Sequence, residues 1–185
     1  MAKDVRERMV AGATTLLATK GLQATSFSEV IELTNTPRGS IYHHFPGGKD
    51  ELVLAALAEF RGRMLETMGE DAQDAHGVLQ AVISAWRGLL ASSQASTGSA
   101  AVAVTVATDT DELLTAAAEV YQAWQQCLAG QWVTAGLPAL TADRLAALTL
   151  ATVEGAVVIA RAKRSLEAYD QAVSLLPQLL DGAVD

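Results

Sequence analysis

The 185-residue sequence predicts an all-α protein with an N-terminal three-helix helix-turn-helix domain and a C-terminal helical domain. Three observations predict it. First, apolar residues recur at helical spacing along most of the chain, where strand patterns are weak. Second, Gly, Pro or polar breaks separate the helical stretches. The third observation is the stretch 27–52, which reads as two short helices around a tight polar turn.

Composition narrows the class of protein. Half of the side chains are apolar, so the chain can bury a real core in one or two compact units. The single cysteine, Cys127, excludes an internal disulfide and fits a reducing compartment. The basic N-terminal residues precede no apolar run, and the apolar stretch 145–160 contains Glu154. We therefore expect no signal peptide, no membrane association and a cytoplasmic location.

The net charge of −8 is unevenly distributed. Residues 1–49 carry six basic and four acidic side chains, whereas residues 50–185 carry seven basic and seventeen acidic ones. A weakly cationic end on an acidic body is compatible with nucleic-acid binding by the N-terminal part only.

The first two helices have clear boundaries in the sequence. A buried stripe predicts a helix over 4–20, and Gly21 ends it. Ser26 and Glu29 form a capping-box pattern that starts the second helix. The side chains expected to face inward on this helix are Phe27, Val30, Ile31 and Leu33.

The third helix follows the polar turn at 34–36, where Asn35 tolerates a left-handed conformation. We expect Thr36 to cap this helix and Pro37 to occupy its first position. Ile41 and Phe45, four residues apart, should point into the core.

The remaining helices follow from periodicity and stop signals. They are predicted at 49–68, 78–92, 109–135, 141–164 (capped by Thr141) and 166–180, with a polar joint at 70–74 and a loop at 92–99. Residues 100–107 read equally well as a strand or a buried helix. We therefore predict two domains, 1–48 and 49–185, which the helix 49–68 connects.

The outer face of the third helix is polar. Arg38, Ser40, Tyr42 and His43 surround the buried positions, and their side chains could hydrogen-bond base edges. Gly39 would allow a close approach of the backbone to DNA.

Neighbouring groups suit phosphate. Hydroxyls at helix N-termini, such as those of Thr25, Thr36 and Ser40, and the ammonium of Lys49 fit phosphate oxygens. Ser26 and Thr36 would cap helices whether or not DNA is present, and Tyr42 could instead join the core. The adjacent His43 and His44 point in different directions, so we predict no metal site and no cofactor.

The C-terminal half contains candidates for a ligand pocket. The candidate residues are Trp86, Tyr121, Trp124, Gln125, Cys127 and Trp132. Aromatic rings that each carry one polar atom suit a mostly apolar cavity, but they equally suit a packed core. Glu154 lies two turns before Arg161 and could pair with it or orient a ligand.

Small side chains on the helix 141–164 would allow another helix to approach closely. They are Ala146, Ala147, Ala151, Gly155 and Ala156. The last helix offers a complementary apolar face, formed by Leu175, Leu176, Leu179 and Leu180. We expect these two helices to form an interface with a second copy of the chain; packing within one chain is the alternative.

The block TSFSEVIELTNTPRGSIYHHFPGGKDEL resembles the DNA-binding domain of the TetR family of transcriptional regulators. Pro-Gly-Gly-Lys at 46–49, Glu-Gly-Ala at 154–156 and Ala-Arg at 160–161 are similar to its LmrA/YxaF-like branch. The resemblance implies a homodimeric regulator, most often a repressor, that a small apolar or aromatic effector releases from a palindromic operator. The residues expected to contact operator DNA are Thr25, Ser26, Thr36, Pro37, Arg38, Gly39, Ser40, Tyr42, His43 and Lys49.

The resemblance also implies that helices 141–164 and 166–180 form the dimer interface and that the C-terminal domain binds the effector. Trp86, Tyr121, Trp124, Gln125, Cys127 and Glu154 are the expected effector contacts. The alternative function is a small-molecule-binding protein that no longer binds DNA. An enzyme is a second rival, but we expect no enzymatic activity, because the sequence has no nucleophile–base spacing, metal cluster or nucleotide loop.

Overall fold

The computed structural model describes residues 2–68 and 74–184, and within these residues it is helical with no strand. The helices are α1 (Ala2–Lys20), α2 (Phe27–Thr34), α3 (Arg38–His44), α4 (Lys49–Met68), α5 (Ala75–Ser92), α6 (Ala100–Thr105), α7 (Asp111–Thr134), α8 (Ala139–Lys163), α9 (Leu166–Val173) and α10 (Leu176–Val184). The all-α prediction is confirmed.

The chain divides into two compact units, and the first comprises Met1–Gly62 and Ser99–Val120. In this unit α1 packs against α2, α3 and α6. The buried hydroxyl oxygen of Thr14 on α1 lies 2.9 Å from Oε2 of Glu59 and 3.3 Å from the carbonyl oxygen of Ala56, both on α4. A polar group buried between helices needs such partners, so these contacts fix α1 on α4.

The second unit comprises Arg63–Gly98 and Tyr121–Asp185. Its helix α8 packs against α5, α9 and α10. Two buried side chains donate to α5: Trp132 Nε1 to the carbonyl of Ala75 at 2.9 Å, and the Tyr169 hydroxyl to the carbonyl of Ile83 at 3.0 Å. Both rings therefore contribute apolar area and a satisfied polar atom to the same core.

The two units differ from the domains predicted at 1–48 and 49–185, because residues of α6 and the first part of α7 group with the N-terminal helices. Both α4 and α7 contain residues of each unit. The division into functional domains stays a prediction.

Side chains and left-handed residues set several helix ends. Ser26, Asp74 and Ser99 each accept a hydrogen bond at a helix N-terminus, from the backbone N–H of the residue three positions later. Asn35 ends α2 at φ 48° and Arg164 ends α8 at φ 50°. Asn35 thus takes the conformation that the sequence suggested.

Several predicted helix starts are wrong. Thr36 does not cap α3, because Pro37 is the N-cap residue and the Thr36 hydroxyl bonds to that of Thr34. Thr141 does not cap α8, which begins two residues earlier, after Pro138. α5 begins at Ala75 instead of residue 78, since Asp74 supplies a cap that periodicity did not reveal.

The capping box and the inward face of α2 are only partly as predicted. Ser26 caps α2, but the carboxylate of Glu29 pairs with Lys20 of α1. Val30 is fully buried, whereas Leu33 is 52% exposed, contrary to prediction.

The predicted last helix, 166–180, is wrong in extent. α9 ends at Val173 and α10 begins at Leu176. Pro177 has no backbone N–H to continue the ladder and suits the first turn of a new helix, which explains the break. Residues 100–107, left open between strand and helix, form α6. In the predicted joint 70–74, only Asp74 is among the described residues.

Among the described residues, α8 is long and apolar enough to cross a bilayer by length and composition alone. Half of its most apolar window is buried against the rest of the chain, as in the core helix of a soluble protein. This helix does not by itself indicate a membrane protein.

Candidate nucleic-acid interface and effector groove

The helix-turn-helix is held by a short local framework. The N–H of Asn35 donates to the carbonyl of Ile31, and this left-handed residue turns the chain from α2 towards α3. Ile41 of α3 and Phe45, the residue that follows its last turn, are buried, as predicted. Because these two residues anchor the inner side of the helix, its other side is directed outward.

The outward side of α3 carries polar groups. Arg38, Gly39 and His43 are exposed, and Ser40 is half-buried. Tyr42 is 61% exposed, so it is not a core residue. Its ring lies edge-on to the ring of Phe27, with centroids 5.4 Å apart, which restricts its orientation.

Three of the hydroxyls predicted to contact DNA, those of Thr25, Ser26 and Thr36, are engaged within the framework. Thr25 is fully buried and donates to the carbonyl of Gly21 at 2.9 Å. Thr36 is buried and lies 2.9 Å from the Thr34 hydroxyl, while the hydroxyl of Ser26 accepts from the Glu29 N–H at 3.3 Å. These groups shape the turn; their contact with DNA stays a prediction.

Lys49 stands at the start of α4, half-buried, and its Nζ donates to the carbonyl of Leu22 at 2.7 Å. Pro37 is exposed beside Arg38. The ammonium of Lys49 therefore ties α4 to the segment between α1 and α2. An ammonium has three N–H donors, so Lys49 can donate to a phosphate either while it keeps the carbonyl of Leu22 or after it leaves it.

Two arginines of α1, Arg8 and Arg6, also contact residues of the helix-turn-helix, which the sequence pattern did not indicate. The guanidinium of Arg8 donates to the carbonyl of Thr34 at 3.4 Å, at the C-terminal end of α2, where a positive charge is favourable. The guanidinium of Arg6 lies 5.2 Å from the ring centroid of Phe45, within cation–π range. Contacts so distant in sequence leave no periodic signal.

Two pairs of side chains, His43 with His44 and Glu154 with Arg161, were considered above for a metal site and for an ion pair. The rings of His43 and His44 lie edge to face, and among the described residues no group of three His, Cys, Asp or Glu side chains is placed to hold a metal ion. Glu154 is buried on α8, while Arg161 is exposed near the end of the same helix. Their pairing stays a prediction.

The predicted effector contacts fall into two groups. Trp86 and Trp124 are fully buried, with ring centroids 5.9 Å apart in an edge-to-face arrangement, and Trp132 is also fully buried. This geometry fits the packed-core alternative. Cys127 is half-buried and lies 3.3 Å from Nε2 of Gln131.

The other three candidates lie together. Tyr121 and Gln125 of α7 and Glu154 of α8 line an open groove of about 320 Å³, which we call the α7–α8 groove. The complete lining is Tyr121, Gln125, Ala147, Leu150, Ala151 and Glu154. The volume lies within the range of small-molecule sites.

One residue of the groove lining makes a polar contact at the surface. Gln125 Nε2 donates to Oδ1 of Asp143 at 2.8 Å. Burial raises the pKa of the Tyr169 phenol above its ordinary value, and the charges of Asp170 and, to a smaller degree, Glu154 raise it further.

One side of α8 is exposed, and apart from the guanidinium of Arg144 its side chains are apolar or small. We call it the α8 stripe, and it consists of Leu140, Ala147, Leu148, Ala151, Gly155, Val158 and Ile159. The small residues predicted for a dimer interface are divided, because Ala146 and Ala156 are buried within the chain whereas Ala147, Ala151 and Gly155 belong to the stripe. Leu175 and Leu179 are likewise exposed, whereas Leu176 and Leu180 are buried.

A turn held by Asn35, an anchored α3 and an exposed polar face define a helix-turn-helix DNA-binding protein. Sequence comparison agrees. Residues 10–56 match the family described as bacterial regulatory proteins, tetR family, and residues 64–174 match the transcriptional regulator LmrA/YxaF-like, C-terminal domain.

Individual proteins are similar over most of the chain. An uncharacterized HTH-type transcriptional regulator of Mycobacterium tuberculosis is 33% identical over 182 residues, covering 95% of this chain and 93% of that protein. The HTH-type regulator YxaF of Bacillus subtilis is 25% identical over 162 residues, covering 84% of each. The crystal structure of a TetR transcriptional regulator from Legionella pneumophila has the same fold, with a TM-score of 0.84, 20% identity and coverage of 94% of this chain and 95% of that one.

The chain belongs to the TetR family of transcriptional regulators, in the LmrA/YxaF-like branch. It is a DNA-binding regulator with a helix-turn-helix domain, and the matched families are regulators and not enzymes.

Proposed function

We propose that the protein is a cytoplasmic homodimeric repressor that binds a palindromic operator and leaves it when a small molecule binds the C-terminal part of the chain. The observation that carries the proposal is the exposed polar face of α3, with Arg38, Tyr42 and His43 directed outward while Ile41 and Phe45 are buried. A helix of this kind fits the major groove.

Each group on this face has a distinct part. Arg38, in the first turn of α3, suits guanine O6 and N7. Gly39 has no atom within 4 Å of the position that a Cβ would occupy, which leaves the backbone open to a close approach by DNA. Tyr42, oriented by Phe27, can donate to a base or a phosphate.

The remaining proposed contacts are arranged around α3. Pro37 and Ser40 lie beside Arg38, and Lys49 begins the next helix. Thr25, Ser26 and Thr36 hold the framework through their hydrogen bonds. We propose that they support DNA binding mainly by positioning α2 and α3.

One observation and one geometric requirement support a homodimer. The α8 stripe and the exposed Leu175 and Leu179 place apolar side chains in solvent on one chain, and burying them removes apolar area from water. A dimer also presents two copies of α3, which a palindromic operator requires.

Release by an effector is a shift between two populations of the dimer, and it requires a molecule that binds one of them more tightly. Since α4 carries Lys49 at its start and continues to Met68 in the other unit, we propose α4 as the element that transmits the shift. An apolar or aromatic effector fits the lining of the α7–α8 groove, which contains Tyr121 and Leu150.

Selection of genomic fragments by the purified protein, followed by footprinting, tests this function. We expect enrichment of a palindromic site, and a compound panel should contain a molecule that releases it. If no fragment is retained at low salt, the alternative of a small-molecule-binding protein without DNA binding replaces the proposal.

A further inference from the structure

Gly12 is buried in the middle of α1, where it faces the end of α2. A glycine inside a helix weakens that helix relative to alanine, so packing is the reason to examine here. A Cβ atom added to Gly12 would overlap Cγ2 of Thr34, and its next neighbour, Cγ1 of Val30, would be 3.8 Å away. Non-bonded carbon atoms pack at about 3.5–4.0 Å, so the overlapping pair would have to separate by about 1 Å.

The methyl group of Thr34 is held in place by the hydroxyl on the same carbon. That hydroxyl donates to the carbonyl of Val30 at 2.6 Å and lies 2.9 Å from the hydroxyl of Thr36. Rotation about the Cα–Cβ bond would move the methyl group away from Gly12 only by breaking these hydrogen bonds. A side chain at position 12 would therefore displace the backbone at the end of α2, and not the methyl group alone.

Contacts on either side of this point determine which helix moves. The buried hydroxyl of Thr14 fixes α1 on α4, so α1 resists displacement. The end of α2 leads through the left-handed Asn35 directly into α3, which begins at Arg38, only four positions after Thr34. A displacement of Thr34 is therefore passed to α3.

We propose that Gly12 is a positioning residue for DNA reading, and that it acts through the methyl group of Thr34. The absent side chain sets how closely α2 approaches α1, and thereby the position from which α3 presents Arg38 and Tyr42. Hydrogen bonds to base edges require N···O distances of about 2.7–3.2 Å, so a displacement of about 1 Å is enough to break them. This inference rests on the operator binding proposed above and adds a buried residue to it.

The test combines two substitutions at one contact. Gly12→Ala adds the Cβ atom, whereas Thr34→Ser removes Cγ2 and keeps the hydroxyl. Gly12→Ala alone should weaken operator binding by at least about tenfold and change binding to random DNA far less. Thr34→Ser alone should bind the operator within about threefold of the wild type, and the double variant should return to that range, because the added Cβ then has room. Fluorescence anisotropy with an operator and a random duplex measures all four proteins.

The matched control is Gly88→Ala on α5, where the glycine is exposed and an added Cβ would have no neighbour within 4 Å. It should bind the operator like the wild type. A Gly12→Ala protein that keeps wild-type discrimination, or that loses affinity equally for both duplexes, overturns the positioning role. If Gly12→Ala does not fold, the double variant decides. Wild-type discrimination in that variant supports the role, whereas an unfolded or weakly binding double variant overturns it.

Failure of this inference differs from failure of the proposed function. If the wild-type protein retains no genomic fragment, the proposed repressor fails and the positioning role fails with it. If the wild type selects an operator and Gly12→Ala binds it equally well, only the positioning role is lost.

Discussion

At the scale of single residues, the role of Arg38 in base reading can be tested without disturbing the fold. Its side chain is exposed, and it is not one of the buried residues that anchor α3. Arg38→Ala should weaken binding to the selected operator by about 1–3 kcal/mol and leave binding to random DNA nearly unchanged. Fluorescence anisotropy with both duplexes measures the difference. Arg63→Ala, an exposed arginine of α4, is the control, and unchanged discrimination in Arg38→Ala would remove Arg38 from base reading.

Lys49 has two competing roles, since its ammonium donates to the carbonyl of Leu22 and is also proposed to contact phosphate. If it contacts phosphate, Lys49→Ala should reduce the slope of log affinity against log salt by about one. Titrations at several salt concentrations measure this slope, with Lys163→Ala of α8 as the control. A lower thermal stability with the same salt slope would assign Lys49 to the framework alone.

At the scale of helices, α9 is fixed on α5 by Tyr169, whose buried hydroxyl donates to the carbonyl of Ile83, and by the bidentate pair of Arg87 with Asp170. Tyr169→Phe removes the hydroxyl and keeps the ring. It should lower the free energy of unfolding by about 1 kcal/mol at neutral pH, the usual net value of one hydrogen bond. Chemical denaturation measures this change.

The same tyrosine predicts a pH dependence. Burial raises the pKa of Tyr169 in the folded protein above its ordinary value of 10.0. The folded chain thus keeps a proton that the unfolded chain loses, so stability is fully present below pH 10.0 and decreases above it. The wild type should lose more stability than Tyr169→Phe between pH 9 and 11; parallel losses would assign the decrease to other groups.

The α8 stripe makes a prediction at the same scale. Leu148→Glu should convert the dimer to a single chain of 19.3 kDa in light scattering, because a carboxylate buried in an apolar interface has no partner. Leu33→Glu should leave the dimer intact, since Leu33 is comparably exposed but lies on α2. A dimeric Leu148→Glu protein would place the interface on another surface.

At the scale of the whole molecule, two copies of α3 must reach two half-sites at one fixed spacing. Half-sites one helical turn apart have centres about 34–36 Å apart. Inserting five base pairs between the half-sites should reduce operator affinity to that of an isolated half-site, because the insertion also rotates one half-site to the opposite side of the duplex. Anisotropy with the two duplexes measures this, and tolerance of the insertion would argue against a rigid dimer.

Local patterns predicted most helices and the inner face of α3, because burial of Ile41 and Phe45 follows from a spacing of four residues. They failed for two different reasons. Glu29 was expected to complete a local capping box, but it pairs with Lys20 of the preceding helix. The break before Pro177 is a local failure instead, because the apolar periodicity continues across a residue that has no backbone N–H.

The sequence by itself determined the all-α class, the turn at Asn35 and the family, since these depend on local spacing and on a long ordered motif. Only the tertiary structure decided which of the similar side chains face inward. Ala146 and Ala147 are adjacent and equally small, yet only Ala147 is exposed. Trp124 is fully buried, while Tyr121, one turn away, lines the groove. The reason is physical: the orientation of a helix about its axis is fixed by the neighbours against which it packs, and composition does not contain that information.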